Sequence, residues 1–153
     1  MPTVHCTHTT DRPAADVWAA VLDCEAFPTY MAEVVDVRLS RVEGNHRTAH
    51  WTVLLKGSEL EWEEEEVIDE EARRIDFSQI DGDLERFSGY WRVGEEDART
   101  VVELHVDFDI GIPLMADMLN PVAARALEDN SRAILAGLSA RARDNATTGE
   151  APA

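Results

Sequence analysis

The sequence is poor in cysteine and has no long apolar run. Cys6 and Cys24 are its two cysteines, too few for a disulfide framework or a cysteine-rich metal site, so we expect two reduced, partly buried thiols. No apolar stretch approaches the roughly 20 residues that a membrane helix needs. Residues 1–10 lack the basic and apolar segments of a secretory signal. We therefore expect a cytoplasmic protein that does not insert into a membrane.

Basic residues are also scarce, which leaves the chain strongly acidic. It has 31 Asp and Glu against 14 Lys and Arg, a formal net charge of −17. Such a surface repels phosphate backbones and anionic lipid headgroups, so we expect no nucleic-acid or membrane partner. The sequence contains no GxSxG motif, phosphate-binding loop, dinucleotide glycine pattern or histidine cluster with metal-ligand spacing. We predict no metal and no cofactor.

The order of the predicted elements indicates one α+β domain over residues 1–143, with a small, polar, disordered tail over 144–153. A strand over 3–9 precedes two short helical segments, the second interrupted at Phe27-Pro28. Six strands follow, with connections short enough for an antiparallel meander, over 34–42, 47–56, 59–69, 74–80, 85–93 and 100–110. A long helix over about 114–143 ends the domain, with a break or kink near Asn120 because Pro121 lies inside it.

The long helix carries an apolar stripe, which consists of Ala123, Leu127, Ile134 and Leu138. A strongly curved sheet cannot bury its concave face against itself, so we expect this stripe to cover it. The gap between helix and sheet is then the natural ligand cavity. Asn130 is a polar residue on the same stripe and needs a partner, which is the ligand, a water or a nearby backbone carbonyl.

The strand over 59–69 is the most informative segment, because its side chains alternate between two faces. One face is wholly acidic and consists of Glu59, Glu61, Glu63 and Glu65. The other face holds Leu60, Trp62 and Ile68, which mark the covered side, and Glu64 and Glu66 share it. Burial and mutual repulsion favour a neutral carboxyl, so at least one of the two should have a raised pKa and act as a general acid or base. The alternative is that both lie near a strand end, in water or paired with arginine.

Alternation also orients three other strands. Trp51, Val53 and Leu55 form the inner set of their strand, which places His50 outside; the reversed register would make His50 a cavity base. In the strand over 85–93, one face holds Phe87, Gly89, Trp91 and Val93, and the glycine between aromatics leaves space or allows a bend. In the last strand, the residues that face inward are Val102, Leu104, Val106 and Phe108. His105 is therefore expected on the surface.

Residues 61–93 carry a family resemblance. Their sequence, EWEEEEVIDEEARRIDFSQIDGDLERFSGYWRV, resembles the polyketide cyclase / coenzyme Q-binding branch of the START-like (SRPBCC) superfamily. In that branch a pattern close to RRIDF, then a glycine, then a tryptophan ending the next strand, is common. The opening segment RPAADVWAAVLDCEAFPTYM is similar to the family's first helix pair. The resemblance implies a helix-grip fold, START/birch-pollen-allergen-like, in the order β-αα-β6-α.

The resemblance also bears on the site. Aromatase/cyclases of the tetracenomycin type use a serine and an arginine two residues apart on a cavity strand. Glu64 and Glu66 stand at those places here, so acid–base work by glutamates replaces the arginine-dependent mechanism. The resemblance implies aromatic cavity residues at Phe27 and Trp91. With strand parity, the predicted ligand-binding residues are Phe27, Tyr30, Met31, Trp51, Trp62, Phe77, Phe87, Trp91, Met118, Leu127 and Asn130.

Two functions remain open from the sequence. The first is a polyketide cyclase or aromatase-like enzyme that holds a small hydrophobic, polyketide-like molecule, free or bound to a carrier protein. Glu64 or Glu66 would transfer protons during cyclisation and dehydration, and aromatic side chains would fold the chain. The second is a non-catalytic lipid or quinone binder, which the coenzyme Q-binding resemblance favours and the charge of −17 disfavours. A homodimer is compatible with either.

Overall fold

The computed structural model describes residues 3–55, 58–109 and 116–149, without the side chains of 55, 58, 116–123 and 141–149. Its seven described strands are β1 (Thr3–Thr10), β2 (Val34–Glu43), β3 (His46–Leu55), β4 (Ser58–Asp69), β5 (Arg74–Gly82), β6 (Arg86–Glu96) and β7 (Arg99–Asp109). Helix α1 (Ala14–Leu22) and a 3₁₀ helix (Cys24–Thr29) lie between β1 and β2, and α2 (Ala116–Gly149) follows β7. The predicted order of elements is confirmed.

The strands form one curved antiparallel sheet in the order β1-β7-β6-β5-β4-β3-β2. From β2 to β7 each strand pairs with the next, as a meander requires, and β1 closes the far edge against β7. Register shifts within the β2–β3 and β4–β5 pairs add local bends. Helix α2 packs onto the concave face, where Leu127, Ile134 and Leu138 join the strand side chains in one buried core.

Alternation orients the strands as predicted. On β7 the four inward residues, Val102 to Phe108 at every second position, are all buried. His105 lies on the other face, where its ring stacks on Tyr90 at a centroid distance of 5.1 Å. His50 is also on the outer face, with Nε2 3.7 Å from a carboxylate oxygen of Glu61. The reversed register, with His50 as a cavity base, is therefore wrong.

Gly89 of β6 permits a close approach that no larger residue could make. A Cβ atom at this position would lie 1.8 Å from the carbonyl oxygen of His105 and 3.0 Å from the ring of Phe77. The first distance is a clash with backbone on β7, which cannot swing away as a side chain can. The absence of a side chain therefore lets β6 and β7 come together beside the Phe77 ring.

Helix α2 differs from its prediction in two respects. It is continuous through Pro121, the sixth residue of the helix, without the break expected near Asn120. It also runs past Arg143 to Gly149, because no glycine or proline interrupts residues 144–148. The segment from residue 144 is thus helical rather than disordered as far as Gly149, and 150–153 lie outside the described residues. Among the helices described, none is both long and apolar enough to cross a membrane.

Candidate functional site

A cavity lies between the concave face of the sheet and α2. Trp51 on β3 and Trp62 on β4 are opposite residues, and their rings stack 5.9 Å apart and 2° from parallel. The ring of Phe87 on β6 lies 4.6 Å from that of Trp62, and Trp91 extends the aromatic wall. Helix α2 closes the cavity with Leu127. Planar aromatic walls of this kind suit a flat, apolar ligand.

The cavity is small in this conformation. Its volume is about 40 Å³, which is room for about three water molecules. For comparison, an engineered apolar cavity that binds benzene has a volume of about 150 Å³. A ligand of several rings therefore requires the wall to open, by rotation of aromatic side chains or by movement of α2 away from the sheet.

Most of the predicted ligand-binding residues line this cavity. They are Trp51, Trp62, Phe77, Phe87, Trp91, Leu127 and Asn130. The wall also contains residues that were not predicted as ligand contacts: Val53, Leu104, Val106, Ser131 and Ile134. Strand parity already turned Val53, Leu104 and Val106 inward, so the signal for these three was present in the sequence.

Three predicted contacts lie outside the cavity wall. Phe27 is buried behind it, with its ring 5.7 Å from that of Trp51 and 6.1 Å from that of Trp91. Met31 and Tyr30 pack against α2 at Gly137 instead. These three residues do not line the cavity in this conformation, because the 3₁₀ helix lies behind the tryptophans and beside α2. Met118 and Ala123 belong to α2, but their side chains lie outside the described part.

Asn130 finds its partner in the protein itself. Its side-chain Nδ2 donates a hydrogen bond of 2.9 Å to the backbone carbonyl of Leu54 on β3. Of the three partners considered from the sequence, the backbone carbonyl is therefore the one observed. This bond fastens α2 to the end of β3 beside the cavity, and Asn130 also contributes to the cavity wall.

Glu64 is the carboxyl group that reaches the cavity. It is 2% exposed and lines the wall next to Trp62, whose indole Nε1 donates a 2.6 Å hydrogen bond to Glu64 Oε1. Its other oxygen, Oε2, is buried and accepts no hydrogen bond from an N–H or hydroxyl donor among the described residues. Burial raises the pKa of Glu64 well above its usual 4.5, and a side-chain hydrogen bond with Glu66 and the negative charge of that group raise it further, against the opposing effects of Trp62 and Arg47. Both its burial and its contact with Glu66 therefore favour the neutral form of Glu64.

Glu66 is equally buried but does not line the cavity. Arg47, the residue opposite it on β3, donates from Nε to Glu66 Oε1 over 2.5 Å and from a terminal nitrogen to the carbonyl of Leu22 over 2.9 Å. The structure thus distinguishes the two glutamates, either of which was predicted to act as the acid or base. The alternative that the glutamates pair with arginine is correct for Glu66. The ion pair is buried, however, and does not lie in water at a strand end.

Arg47 is the residue of this cluster that the sequence interpretation missed. It shares its strand parity with Trp51 and Val53, so alternation along β3 already turned it inward. A guanidinium stays charged when buried, and one carboxylate balances it. With Glu64 neutral, the three buried groups carry no net charge, which is the arrangement that burial favours.

Cys24 lies beside the same cluster and is not a nucleophile. Burial raises the pKa of its thiol to about 12, opposed by the positive charge of Arg47 and reinforced by the carboxylate of Glu66. A thiol with so high a pKa remains protonated near neutral pH and reacts slowly. Both cysteines are free and buried, as expected. Among the described residues no group of histidine, cysteine and carboxylate side chains is arranged to hold a metal ion.

Comparison with known proteins identifies a family that matches this chain. Residues 10–135 match the family described as polyketide cyclase / dehydrase and lipid transport. The structure of TTHA0849 from Thermus thermophilus is 26% identical, with a TM-score of 0.87 over 94% of this chain and 99% of that one. The ZhuI aromatase/cyclase from Streptomyces sp. R1128 is 22% identical, with a TM-score of 0.82 over 93% of each chain.

A START superfamily protein from Mycobacterium smegmatis is 15% identical, with a TM-score of 0.79 over 93% of this chain and 97% of that one. No curated protein matches the chain in sequence. The solved structures confirm the helix-grip fold, and the family match confirms the polyketide cyclase resemblance noted in residues 61–93. Since the family match spans well over half of the sequence, the chain belongs to the polyketide cyclase / dehydrase and lipid transport family.

Proposed function

We propose that this protein is a cyclase of the polyketide type, in which Glu64 acts as the general acid and base. The observation that carries the proposal is the position of this carboxyl: it is buried in the wall of an apolar cavity, where burial and Glu66 raise its pKa. A pure carrier gains nothing from an acid in such a place, since its desolvation is costly. An enzyme gains a proton donor that stays protonated at pH values at which an exposed glutamate has already ionised.

Glu64 gives one proton and recovers one proton in each of the two steps of the proposed reaction. In cyclisation, an enol carbon attacks a ketone carbon of the same chain, and Glu64 gives its proton to the ketone oxygen. The carboxylate recovers a proton from the enol hydroxyl, which becomes a ketone. In dehydration, Glu64 protonates the new hydroxyl, which leaves as water, and the carboxylate takes the proton from the neighbouring carbon. The substrate loses one water and Glu64 ends as it began.

Glu66 and Arg47 act on the substrate only through Glu64. The Glu66 carboxylate favours the proton on Glu64, and Arg47 holds that carboxylate in place and neutralises it. In this proposal Glu66 is a positioning residue rather than the second proton carrier. The aromatic wall supplies the folded conformation of the chain, which brings the reacting carbons together.

The test is a reconstitution with a minimal polyketide synthase that releases a poly-β-ketone chain. We expect wild-type protein to redirect the products from spontaneous mixtures to one cyclised, dehydrated compound. Glu64→Gln should lower that yield per unit time by roughly 10²–10⁴-fold, the usual contribution of a general acid or base. Glu63→Gln, one position along on the outer face, is the matched control and should behave as wild type. Equal activity of the two variants would refute the acid–base role.

The second candidate is a lipid or quinone carrier, favoured by the apolar wall and by the lipid transport members of the family. It would hold its ligand in the same cavity without turnover. Native mass spectrometry of protein purified from its host distinguishes the two. A copurified long-chain lipid or quinone, together with an unchanged product profile in the reconstitution, would favour the carrier over the cyclase.

A further inference from the structure

The wall of the cavity combines aromatic rings with a single acidic side chain, that of Glu64. Its aromatic members are Trp51, Trp62, Phe77, Phe87 and Trp91. Among the described residues no lysine, arginine or histidine lines this cavity. An aromatic ring attracts a cation through its quadrupole, and the attraction is stronger where water is excluded. A carboxyl group among aromatic rings is therefore a setting that suits a positively charged ligand.

Glu64 is also the carboxyl group of the buried cluster that has no basic hydrogen-bond partner among the described residues. The guanidinium of Arg47 donates to Glu66, whereas the donor to Glu64 is the neutral indole of Trp62, over 2.6 Å. In the free protein, burial and the contact with Glu66 favour a proton on Glu64. A bound cation would balance the charge of an ionised Glu64 in place of that proton. Arg47 and the cation would then offset the two carboxylates.

The other described groups that face Glu64 across the sheet and from α2 carry no charge. Gln79 lies opposite it on β5, and α2 contributes Asn130 and Ser131 to the same cavity wall. Cys24 lies close to the cluster, and its thiol, whose pKa is about 12, stays protonated near neutral pH. None of these groups supplies the positive charge that an ionised Glu64 needs, so the ligand has to bring it.

The charge of the whole chain favours the same class of ligand. The formal net charge is −17, and Glu63 and Glu65 flank Glu64 on the outer face of β4. Such a field raises the local concentration of cations and repels anions. It acts at a distance and does not form the site, but it selects against a carboxylate or phosphate ligand.

We propose that the cavity binds small organic cations, either quaternary or protonated amines, with the cation against the aromatic rings and an ionised Glu64 as its counter-ion. This inference goes beyond the proposed function, with which it shares only the cavity. On binding, the proton of Glu64 passes to the solvent and the cation takes its place, so one proton is released for each cation bound. The wall opens for this ligand as it must for any molecule larger than a few waters.

The first test compares choline with 3,3-dimethylbutan-1-ol, which has the same shape but a carbon atom in place of the charged nitrogen. Isothermal titration calorimetry of the wild-type protein at pH 8 should show choline binding about tenfold or more tightly, because a desolvated cation–π contact and a counter-ion act together. Equal affinities, tighter binding of the alcohol, or no binding of choline would overturn the proposal without any variant.

The second test is the pH dependence of the same titrations. Choline has no group that titrates near neutral pH, so any pH dependence of its binding belongs to the protein. Because binding releases the proton of Glu64, the affinity for choline should rise by up to tenfold per pH unit from about pH 5 until Glu64 ionises in the free protein, and should then level off. An affinity for choline that does not change with pH would show that Glu64 is not the counter-ion.

Glu64→Gln should remove both the preference for choline and the rise with pH. Glu63→Gln changes the net charge by the same amount from the outer face, and it should keep both. If the two variants lose the preference equally, the overall field is responsible and the site is refuted. Choline preference in a wild-type protein without cyclisation activity would refute the proposed cyclase and support this inference; cyclisation activity without the preference would do the reverse.

Discussion

Replacing Glu64 by glutamine should change how the stability of this protein depends on pH. Burial first, and the Glu66 carboxylate second, raise the pKa of Glu64 well above 4.5 in the folded protein. The folded protein therefore keeps this proton at pH values at which the unfolded chain has lost it. The stability that Glu64 contributes is complete below pH 4.5 and is lost as the pH rises from there towards its folded pKa.

The size of the effect follows from one proton. In that interval the unfolded chain binds one proton fewer than the folded protein, so this group lowers the free energy of unfolding by about 1.4 kcal/mol per pH unit. Glu64→Gln removes the titrating group but retains the shape, and its amide oxygen can still accept from Trp62. Between about pH 5 and pH 6 the variant should therefore gain about 1.4 kcal/mol relative to wild type.

Urea unfolding followed by far-UV circular dichroism, at half-unit steps of pH, measures this difference. The slope against pH carries the information, so a constant offset caused by the substitution itself does not matter. Glu63→Gln on the outer face controls for the loss of one glutamate in the same strand, and its curve should run parallel to that of wild type. If the Glu64→Gln curve is parallel as well, Glu64 ionises in the folded protein as it does in water, and the argument for a buried acid collapses.

Two further predictions concern the packing around the site. Arg47→Met leaves Glu66 buried without its partner and should lower the free energy of unfolding by about 3–5 kcal/mol. Replacing Glu66 by leucine in the same protein should recover most of that loss. A double variant no more stable in urea than the single one would contradict the buried ion pair. Gly89→Ala places a methyl group 1.8 Å from the His105 carbonyl oxygen and should cost about 1–3 kcal/mol or more. Gly94→Ala, which meets only the flexible end of a side chain, should destabilise the protein less. Thermal unfolding of the two alanine variants measures the difference.

Alternation along β4 was enough to predict which glutamates turn inward. Successive side chains of a strand point to opposite faces whatever the strand pairs with, so Glu64 and Glu66 had to share the face of Trp62. Both are 2% exposed in the structure. The same local rule placed His50 and His105 on the outer face. The family resemblance in residues 61–93 then named the helix-grip fold, which the family match and the solved structures confirm.

Local spacing could not distinguish Glu64 from Glu66. The difference between them is Arg47, which lies opposite Glu66 because of the register between β3 and β4. Parity alone turned Arg47 inward, but it did not say which inward carboxyl it would meet. Register is set by the turn and by the packing of whole strands. The tertiary structure therefore decided that one glutamate is neutralised by an ion pair and the other faces the cavity as an acid.

The tertiary structure also decided which residues line the cavity. Phe27, Tyr30 and Met31 are apolar enough for the wall or for the layer behind it, and the sequence does not separate these positions. The docking of the 3₁₀ helix and α2 places them behind or beside the wall. The sequence by itself determined the order of elements and the face of each strand residue, because both depend on near neighbours in the chain. Which polar groups meet in the interior depends on register and helix docking, because the contacts involved join residues far apart in sequence.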